Sequence, residues 1–448
     1  MAKEEYKGRL KLQTFFKGLT LSLLFVVFFS LGSSVAYGKA SYQTDNKKIV
    51  PISGSGAVVM DAKNGNILYS VNGDKRFYPA SCTKILAAVI ALEEGDLKQK
   101  ITVSENAVYN IDYDSSHIAL DAGEKITMKD ALYGMLLTSG NDCSVVVAET
   151  ISGSVDKYAD KMNEKAKEIG CTDSHFTNPH GLYHKNHYTT PEDLARIMRY
   201  CVGNKDFMNV ASALRYNVPK TNKSDVRELW NNHRMLKNKY MYYAPIVCGK
   251  SGYITKSGFN LVSYGKKDGM ELIVVIMKED DPTTICKDTQ ALMEHYFNNY
   301  ESTSLPSSQV NIESVKIKKK EVPVTVDKNF HVLLPKGVSI KDITFHTQVL
   351  STKLPIKKGA QVGIVQAVYN NKVLGTTPLY AEKTISGSSI KKVVLIVLSV
   401  VGILLLAFFI LVSISKVRRS GRRRIYGRQK RKFRNGYSGR SRRSGRWR

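Results

Sequence analysis

The residues best suited to covalent chemistry are Ser81 and Lys84, three positions apart at the start of a mostly apolar run, residues 85–94. This run contains no proline or glycine, which predicts a buried helix that begins beside Ser81. Side chains three residues apart share one face of a helix, so the amine would lie next to the hydroxyl. Burial lowers the pKa of a lysine, and the neutral amine can then take the proton of a serine nucleophile.

A serine and a lysine at this spacing are not specific on their own. The same tetrad occurs at Ser154 and Lys157 and again near the C-terminus. A serine before a helix often serves as its N-cap, with the lysine exposed on the helix surface. For Ser81 this structural interpretation stays open until other chemical groups accompany the pair.

A second polar pattern, Ser139-Gly-Asn141, comes directly before a helical segment. Its hydroxyl and amide, two residues apart, can face one cleft. Capping of the helix by either residue is the alternative interpretation. A related pattern, Ser70-Val-Asn72, follows a strand-like run and is predicted to be structural.

A third pattern, Lys250-Ser251-Gly252-Tyr253, follows an apolar run that predicts a strand at Tyr242–Cys248. An ammonium and a hydroxyl at a strand edge can bind a substrate carboxylate. Gly252 would let a substrate backbone come close. The similar Lys256-Ser-Gly258 is predicted to be a hairpin turn.

The charge of the chain is unevenly distributed. The net charge is +28 over 448 residues, and 16 of the Lys and Arg residues lie in the segment 416–448, which has no Asp or Glu. The remainder therefore carries +12. Directly before this segment, Val393–Ile414 is uncharged and long enough to cross a bilayer as a helix. We predict a transmembrane helix at 393–414 and a basic cytoplasmic tail at 415–448.

The N-terminus has the features of an export signal. Five basic residues precede an apolar run at 19–31, and Ser34-Val-Ala36 suits cleavage, which predicts a signal peptide at 1–36. An uncleaved anchor is the alternative, and either segment would export the body of the chain. Six cysteines in an exported chain permit disulfides, but we favour buried free thiols because several lie within apolar stretches.

The exported body divides into two parts. Residues 50–300 mix helical and strand-like patterns, with a hairpin predicted at Asn64-Gly65. Residues 306–384 contain short β-rich runs that predict a small all-β domain. The segment Leu305-Pro-Ser-Ser308 is predicted to be a linker between the two. Helices are predicted at Met128–Leu137, Asp142–Ile151, Val155–Ile169, Pro191–Cys201 and Asp288–Phe297.

In this order, the three patterns resemble the motif set of the serine-type D-alanyl-D-alanine carboxypeptidases, the low-molecular-mass penicillin-binding proteins. The resemblance runs from about Ser53 to Thr384. It implies an α+β, penicillin-recognising fold: a mostly antiparallel sheet flanked by helices, with a helical lobe and a β-sandwich. The matching segments are Pro79–Lys84, Ser139–Asp142, Met162–Gly170, Phe176–Leu182, Lys250–Tyr253, Lys267–Met270, Pro355–Gly359 and Pro378–Tyr380.

The resemblance also implies catalytic roles. Ser81 would attack the peptide bond between the two terminal D-alanines of a peptidoglycan stem peptide, and Lys84 would take its proton. Ser139 would relay that proton to the leaving amine. The intermediate would be an acyl-enzyme, and β-lactams would acylate the same serine. Neither a metal nor another cofactor is expected.

Substrate binding is assigned in the same way. By resemblance, Asn141 orients the substrate amide, Lys250 and Ser251 bind the terminal carboxylate, and Gly252 admits the substrate. The backbone N–H of Tyr253 joins that of Ser81 at the oxyanion. Ser251 stands where the family usually has threonine, which keeps the hydroxyl but puts its fine positioning in doubt.

Three other functions were weighed. A β-lactamase shares the motifs, and Glu192 superficially resembles a deacylating base, although Thr190–Asp193 suits the start of a helix better. A zinc peptidase would need His180, His184 and His187 as ligands. A wall-binding scaffold would have no chemistry at all. For the tail, the expected partners are anionic lipid head groups or an unknown acidic cytoplasmic molecule.

Overall fold

A computed structural model describes residues 50–112, 114–310, 312–326, 329–351, 353–386 and 390–435. The predicted signal peptide lies outside these residues. The strands are β1 (Gly56–Asp61), β2 (Ile67–Val71), β3 (Lys100–Thr102), β4 (Lys125–Thr127), β5 (Arg215–Val218), β6 (Arg227–Trp230), β7 (Ile246–Ile254), β8 (Gly258–Lys267), β9 (Met270–Glu279), β10 (Tyr300–Pro306), β11 (Ser314–Ile317), β12 (Lys320–Val326), β13 (Asn329–Pro335), β14 (Thr344–Val349), β15 (Gln361–Tyr369) and β16 (Lys372–Ala381).

The helices are numbered separately from the strands, also in chain order. They are α1 (Lys84–Glu94), α2 (Glu105–Tyr109), α3 (Met128–Leu137), α4 (Asn141–Ser152), α5 (Val155–Ile169), α6 (Pro191–Val202), α7 (Lys205–Ala211), α8 (Arg234–Lys237), α9 (Thr284–Asn299) and α10 (Ile390–Asn435). Short 3-10 helices occur at Ala80–Thr83, Ser307–Gln309 and Ile340–Asp342.

The first part of the chain is built on a five-stranded antiparallel sheet in the order β2-β1-β9-β8-β7. β1 and β2 form the predicted hairpin, with Gly65 at φ +79° in its turn. Alternate residues of β1 are buried on opposite faces: Val58 and Met60 in one core, Ala57 and Val59 in another. The sheet is therefore covered on both sides, and β7 is left as one of its two edges.

Helix α1 lies in the larger of these cores. Its first eight residues are buried, and its neighbours include α4, α5 and α6. The other face of the sheet is covered by α9, whose Leu292, Met293, Tyr296 and Phe297 are almost completely buried. An apolar helix enclosed in this way removes the side chains of its first turn from water. That turn begins with Lys84.

The sequence predicted most helices to within a few residues. α3 and α5 have the predicted bounds. α6 extends one residue further at its end, and α4 and α9 extend by one to four residues at each end. Side chains cap the starts of α3, α5 and α6: Thr127, Ser154 and Thr190 accept backbone N–H groups there. These caps are the local reason that the predictions succeeded.

Two strand predictions need correction. The strand predicted at Tyr242–Cys248 begins at Ile246, because the residues before it turn back on α8 through a bond from the Tyr243 N–H to the Met235 carbonyl. The predicted linker at Leu305–Ser308 is wrong at its first two residues, which belong to β10. Leu305 is completely buried, so this short segment contributes to a core and does not span solvent.

The second part is the predicted β-sandwich. One sheet has the order β11-β12-β16-β15-β14, and β10 pairs with β13 in a second, two-stranded sheet. Both sheets contribute to one apolar core, in which Leu305 and Val332 meet Val324 and Leu379. This β-rich part contacts the β1–β2 hairpin, where Asn64 Nδ2 donates to the His331 carbonyl at 3.1 Å.

At the C-terminal end, α10 contains a 23-residue section, Val394–Lys416, that is long and apolar enough to cross a membrane. None of this section is buried against the rest of the chain, and apolar residues surround it on every side. A helix of this kind needs an apolar environment such as lipid. The helix continues to Asn435, well into the segment predicted as the basic tail.

All six cysteines are buried and free, as predicted. Burial raises the pKa of each thiol, to about 12 for Cys82 and Cys248. In Cys82 the nearby lysine charges oppose this rise but do not overcome it.

Candidate active site

Ser81 lies in the 3-10 turn Ala80–Thr83 that leads directly into α1, so the predicted helix begins with one tighter turn. Ala80 adopts φ +48°, an uncommon conformation for a residue with a Cβ. No side-chain capping bond is present at the start of either helix. The hydroxyl of Ser81 is therefore not used as a helix cap.

The amine of Lys84 makes three short contacts. Its Nζ lies 2.8 Å from Ser81 Oγ, 2.7 Å from Asn141 Oδ1 and 2.7 Å from the His180 carbonyl oxygen. The side chain is completely buried. Burial lowers the pKa of Lys84 well below its usual range, and the charge of Lys250 lowers it further.

The geometry suits a neutral amine. A neutral amine has two N–H donors and one lone pair, and two of its three neighbours are oxygens that can only accept. Donation to Asn141 and to the His180 carbonyl leaves the lone pair toward the hydroxyl of Ser81. The arrangement can therefore take the proton of Ser81 as that oxygen attacks a carbonyl group.

The second tetrad shows the opposite environment. Ser154 accepts the backbone N–H of Lys157 at 3.3 Å and caps α5, and the side chain of Lys157 is exposed. Identical spacing thus gives a helix cap in one place and a buried pair in the other. The apolar residues that enclose α1 make the difference.

Ser139 and Asn141 join the same cleft from the junction of α3 and α4. Asn141 is the first residue of α4, and Ser139 has φ +67° in the short connection before it. The loop opposite holds this connection, because the Asn141 N–H donates to the Ser116 carbonyl at 2.7 Å. Both side chains line the cleft that contains Ser81.

The third motif lies on the edge strand β7. Lys250 is buried, whereas Ser251, Gly252 and Tyr253 line the cleft. A Cβ at Gly252 would lie 2.8 Å from both the Pro79 carbonyl oxygen and the Ser81 nitrogen. Only glycine allows β7 to approach the Ser81 turn this closely.

Lys250 is held behind the cleft surface. Its Nζ donates to the Ser251 carbonyl at 2.9 Å, and burial lowers its pKa to about 8. The buried ring of His233 lies nearby, with Nε2 2.9 Å from Ser263 Oγ and a pKa lowered to about 4 by burial. Gly249 makes room for this ring, since a Cβ there would lie 2.5 Å from Nε2. One positive charge, on Lys250, thus lies beside a neutral imidazole.

A stability prediction follows from the pKa of Lys250. In the unfolded chain this lysine titrates near 10.4, so between pH 8 and that value the unfolded state binds more protons and stability rises with pH. Lys250→Met removes the cost of the buried charge. We expect it to raise the free energy of unfolding by roughly 3 kcal/mol below pH 8, with the gain fading toward pH 10.

Thermal unfolding at pH 7 and pH 10 measures this effect. The control is Lys267→Met, at the exposed end of the neighbouring strand β8. An equal gain at both pH values would show that packing, not the buried charge, is responsible.

The motifs surround a cleft of about 600 Å³, a size suited to a peptide-like ligand. Residues 112 and 114–116 form one wall and residues 251–256 form another. Arg234, at the start of α8, also lines the cleft and adds a cation that the sequence did not predict. No local pattern marked this residue, because only the fold brings it to the cleft.

The sequence also missed the function of the loop 178–182. The His180 carbonyl is one of the three partners of Lys84. Gly181 has φ +87°, and a Cβ there would lie 1.9 Å from the Ala80 carbonyl oxygen. Asn178 holds the loop by accepting the Gly181 N–H at 2.7 Å and donating to the Leu182 carbonyl. The one available signal was an asparagine three residues before a glycine, typical of a tight turn.

We expect Gly181→Ala to disturb the active site strongly. The added Cβ must displace either this loop or the Ala80–Ser81 peptide, which would lower the rate of acylation by a β-lactam about 100-fold, as for a misplaced catalytic group. The control is Gly153→Ala, at φ +79° with no atom within 4 Å of the new Cβ. We expect that variant to lose about 1–2 kcal/mol of stability, from the backbone conformation alone, and to keep its acylation rate. Stopped-flow acylation of both variants tests the difference.

The comparisons with known proteins agree with this geometry. Residues 42–281, more than half of the chain, match the family model described as D-alanyl-D-alanine carboxypeptidase. The chain belongs to the D-alanyl-D-alanine carboxypeptidase family. Residues 300–386 match the model of the penicillin-binding protein 5 C-terminal domain.

Relatives of the family extend over most of the chain. D-alanyl-D-alanine carboxypeptidase DacF of Bacillus subtilis is 30% identical, covering 73% of this chain and 84% of its own. DacA of Haemophilus influenzae is 26% identical, covering 74% of this chain and 85% of its own. Penicillin-binding protein 5 from Haemophilus influenzae has the same fold, with a TM-score of 0.62, 24% identity and coverage of 75% and 99%.

In this member of the carboxypeptidase family, the residues that suggested a β-lactamase or a zinc peptidase make local structural contacts. Glu192 lies in the first turn of α6 and pairs with Arg196 at 3.0 Å; it does not line the cleft. The three histidines make separate local contacts. His187 bonds Thr83 Oγ1 at 2.8 Å, while His180 and His184 each accept a backbone N–H two residues further along the chain.

Proposed function

We propose that this chain removes the C-terminal D-alanine from peptidoglycan stem peptides through an acyl-enzyme on Ser81. The observation that carries the proposal is the contact of 2.8 Å between Lys84 Nζ and Ser81 Oγ. The same amine also contacts two carbonyl oxygens, those of the Asn141 side chain and the His180 backbone. Membership of the carboxypeptidase family supplies the substrate class.

In the proposed first step, Ser81 Oγ attacks the carbonyl carbon between the two D-alanines as its proton passes to Lys84. Backbone N–H groups of Ser81 and Tyr253 stabilise the oxyanion. The C–N bond then breaks, and the proton passes from Lys84 through Ser139 to the leaving amine. Asn141 orients the substrate amide while also fixing the amine of Lys84.

In the second step, water attacks the ester carbon and Lys84 accepts a proton from that water. The bond between the acyl carbon and Ser81 Oγ breaks, and the proton returns to the serine. Earlier, before the first step releases the terminal D-alanine, Lys250 and Ser251 hold the terminal carboxylate of the substrate, with Gly252 allowing its close approach. A β-lactam acylates Ser81 in the same way and leaves slowly.

The test uses the full chain in detergent with a muropeptide that carries a pentapeptide stem. Mass spectrometry should show the loss of one alanine, and penicillin should prevent that loss. Rapid turnover of penicillin would instead indicate a β-lactamase. Failure to bind penicillin covalently would indicate a scaffold without chemistry.

We further propose that residues 1–36 direct export, that α10 anchors the chain, and that residues 415–448 remain cytoplasmic. The charge of the tail favours this orientation, and anionic lipid head groups are its proposed partner. An acidic cytoplasmic molecule is the other candidate for the excess charge.

We expect deletion of 422–448, which keeps Lys416, Arg418 and Arg419, to leave orientation and carboxypeptidase activity unchanged. Three cations suffice for topology, and the tail would lie across the membrane from the cleft. Activity in detergent and protease accessibility in vesicles measure the two properties. Loss of activity in detergent would reveal a structural role for the tail and contradict this expectation.

A further inference from the structure

A second cavity, of about 420 Å³, lies beside the catalytic cleft. Among its described lining residues are five cations and no carboxylate. We call this cavity the basic groove and define it by those cations, Lys75, Arg76, Lys185, Lys256 and Lys278.

The cations of the basic groove are exposed and poorly neutralised. Within the described residues, Arg76 pairs with Asp173 at 3.3 Å, and none of the four lysines has a carboxylate within ion-pair distance. Like charges gathered in one concave site create a positive potential that favours an anion. The groove can therefore bind an anionic ligand, because the described carboxylates neutralise only one of its five cations.

The position of Lys278 is maintained at a conformational cost. It lies within β9 but adopts φ +56°, and its N–H donates to Asn260 Oδ1 at 3.0 Å. Asn260 in turn donates to the Tyr78 carbonyl at 3.0 Å, three residues before Ser81. A non-glycine residue held this way in a strand is a form of strain that concentrates at functional sites.

The basic groove is continuous with the catalytic cleft. Lys256 lines both cavities. Tyr78 lines the groove and Tyr183 the cleft, and their rings meet edge to face with centroids 5.2 Å apart. A ligand that extends beyond the cleft at this point enters the groove.

The proposed function fixes the direction in which the substrate extends. Its terminal carboxylate is placed at Lys250 and Ser251, and its scissile bond at Ser81 and Tyr253. The preceding residues of the peptide must therefore continue beyond Tyr253, in the direction of Lys256. Lys256 lies in the turn that follows β7, two residues beyond the end of that strand at Ile254.

We propose that the basic groove binds the free carboxylates of stem-peptide residues that precede the D-alanines. The inference rests on the proposed function, because that function sets the direction of the bound peptide. The groove then makes the enzyme selective for acidic stems over stems whose carboxylate is converted to an amide.

The experiment compares two labelled pentapeptides that end in D-Ala-D-Ala and differ only by glutamate or glutamine at the second position. The groove variant combines Lys75→Gln, Lys185→Gln and Lys278→Gln. A control variant, with Lys98→Gln, Lys157→Gln and Lys267→Gln, has the same loss of charge at exposed sites outside the groove. All are made in the full chain.

We expect wild type and control to have a KM about fivefold to tenfold lower for the glutamate peptide, a preference that salt weakens. The groove variant should lose this preference, with kcat and penicillin acylation retained. Equal KM values for the two peptides in wild type, or a preference that survives in the groove variant, would overturn the proposal.

Binding measured without turnover separates this proposal from the proposed function. In Ser81→Ala, fluorescence anisotropy reports the affinity of each peptide directly. A glutamate preference there, abolished by the groove substitutions, supports the basic groove even if wild type cleaves neither peptide. If polyphosphate binds the groove but neither peptide shows a charge preference, the groove binds polyanions other than the stem peptide and the proposal fails.

Discussion

Ser81→Ala is expected to abolish covalent labelling of the protein by fluorescent penicillin. The substitution removes the hydroxyl oxygen that lies 2.8 Å from the Lys84 amine. Loss of a nucleophile in a serine hydrolase lowers turnover by on the order of 10⁴-fold or more, which is below detection in a gel assay. Folding should be unaffected, because the hydroxyl caps neither helix.

The chain provides a matched control for this substitution. Ser154→Ala alters the other serine of a Ser-x-x-Lys tetrad, one that caps α5. We expect it to cost about 1 kcal/mol of stability and to leave labelling intact. Persistent labelling in Ser81→Ala, stable to boiling in detergent, would disprove the nucleophile assignment.

Lys84→Arg is expected to have the second largest effect. Arginine is positively charged and does not lose its proton in proteins, so it cannot act as the base. Acylation by penicillin should fall by about 10²–10⁴-fold, the contribution typical of a general base. Stopped-flow measurement of the acylation rate gives the value, with the exposed Lys157→Arg as control.

The pH dependence of acylation tests the same base. Because burial lowers the pKa of Lys84, its neutral form becomes available well below the usual pKa of a lysine. The wild-type rate should therefore rise with pH through a midpoint well below 10.5. Lys84→Arg should show no such rise, and a variant that keeps the wild-type profile would point to another base.

The sequence predicted the groups that act through their side chains. Ser81, Lys84, Ser139 and Asn141 meet in one cleft, and each could be found because its residue type and spacing restrict the chemistry. The environment of Lys84 was predictable too, since an apolar run of this length between polar segments favours a buried helix.

Two groups that the sequence did not reveal are the His180 carbonyl and Arg234. The His180 carbonyl could belong to any residue type, so its approach to Lys84 leaves no mark in the sequence. Arg234 reaches the cleft only through the path of the chain between β6 and β7. The linker prediction failed at Leu305 because a serine- and proline-containing segment resembles a loop until a neighbouring strand covers its leucine.

The buried cysteines have a consequence for the life of an exported chain. Thiolate is the reactive form of cysteine, and burial both raises the thiol pKa and blocks access. Burial therefore makes these thiols slow to react in the folded protein. Under the proposed export, the chain presents six thiols to an oxidising exterior before it folds, and folding then competes in time with non-native disulfide formation.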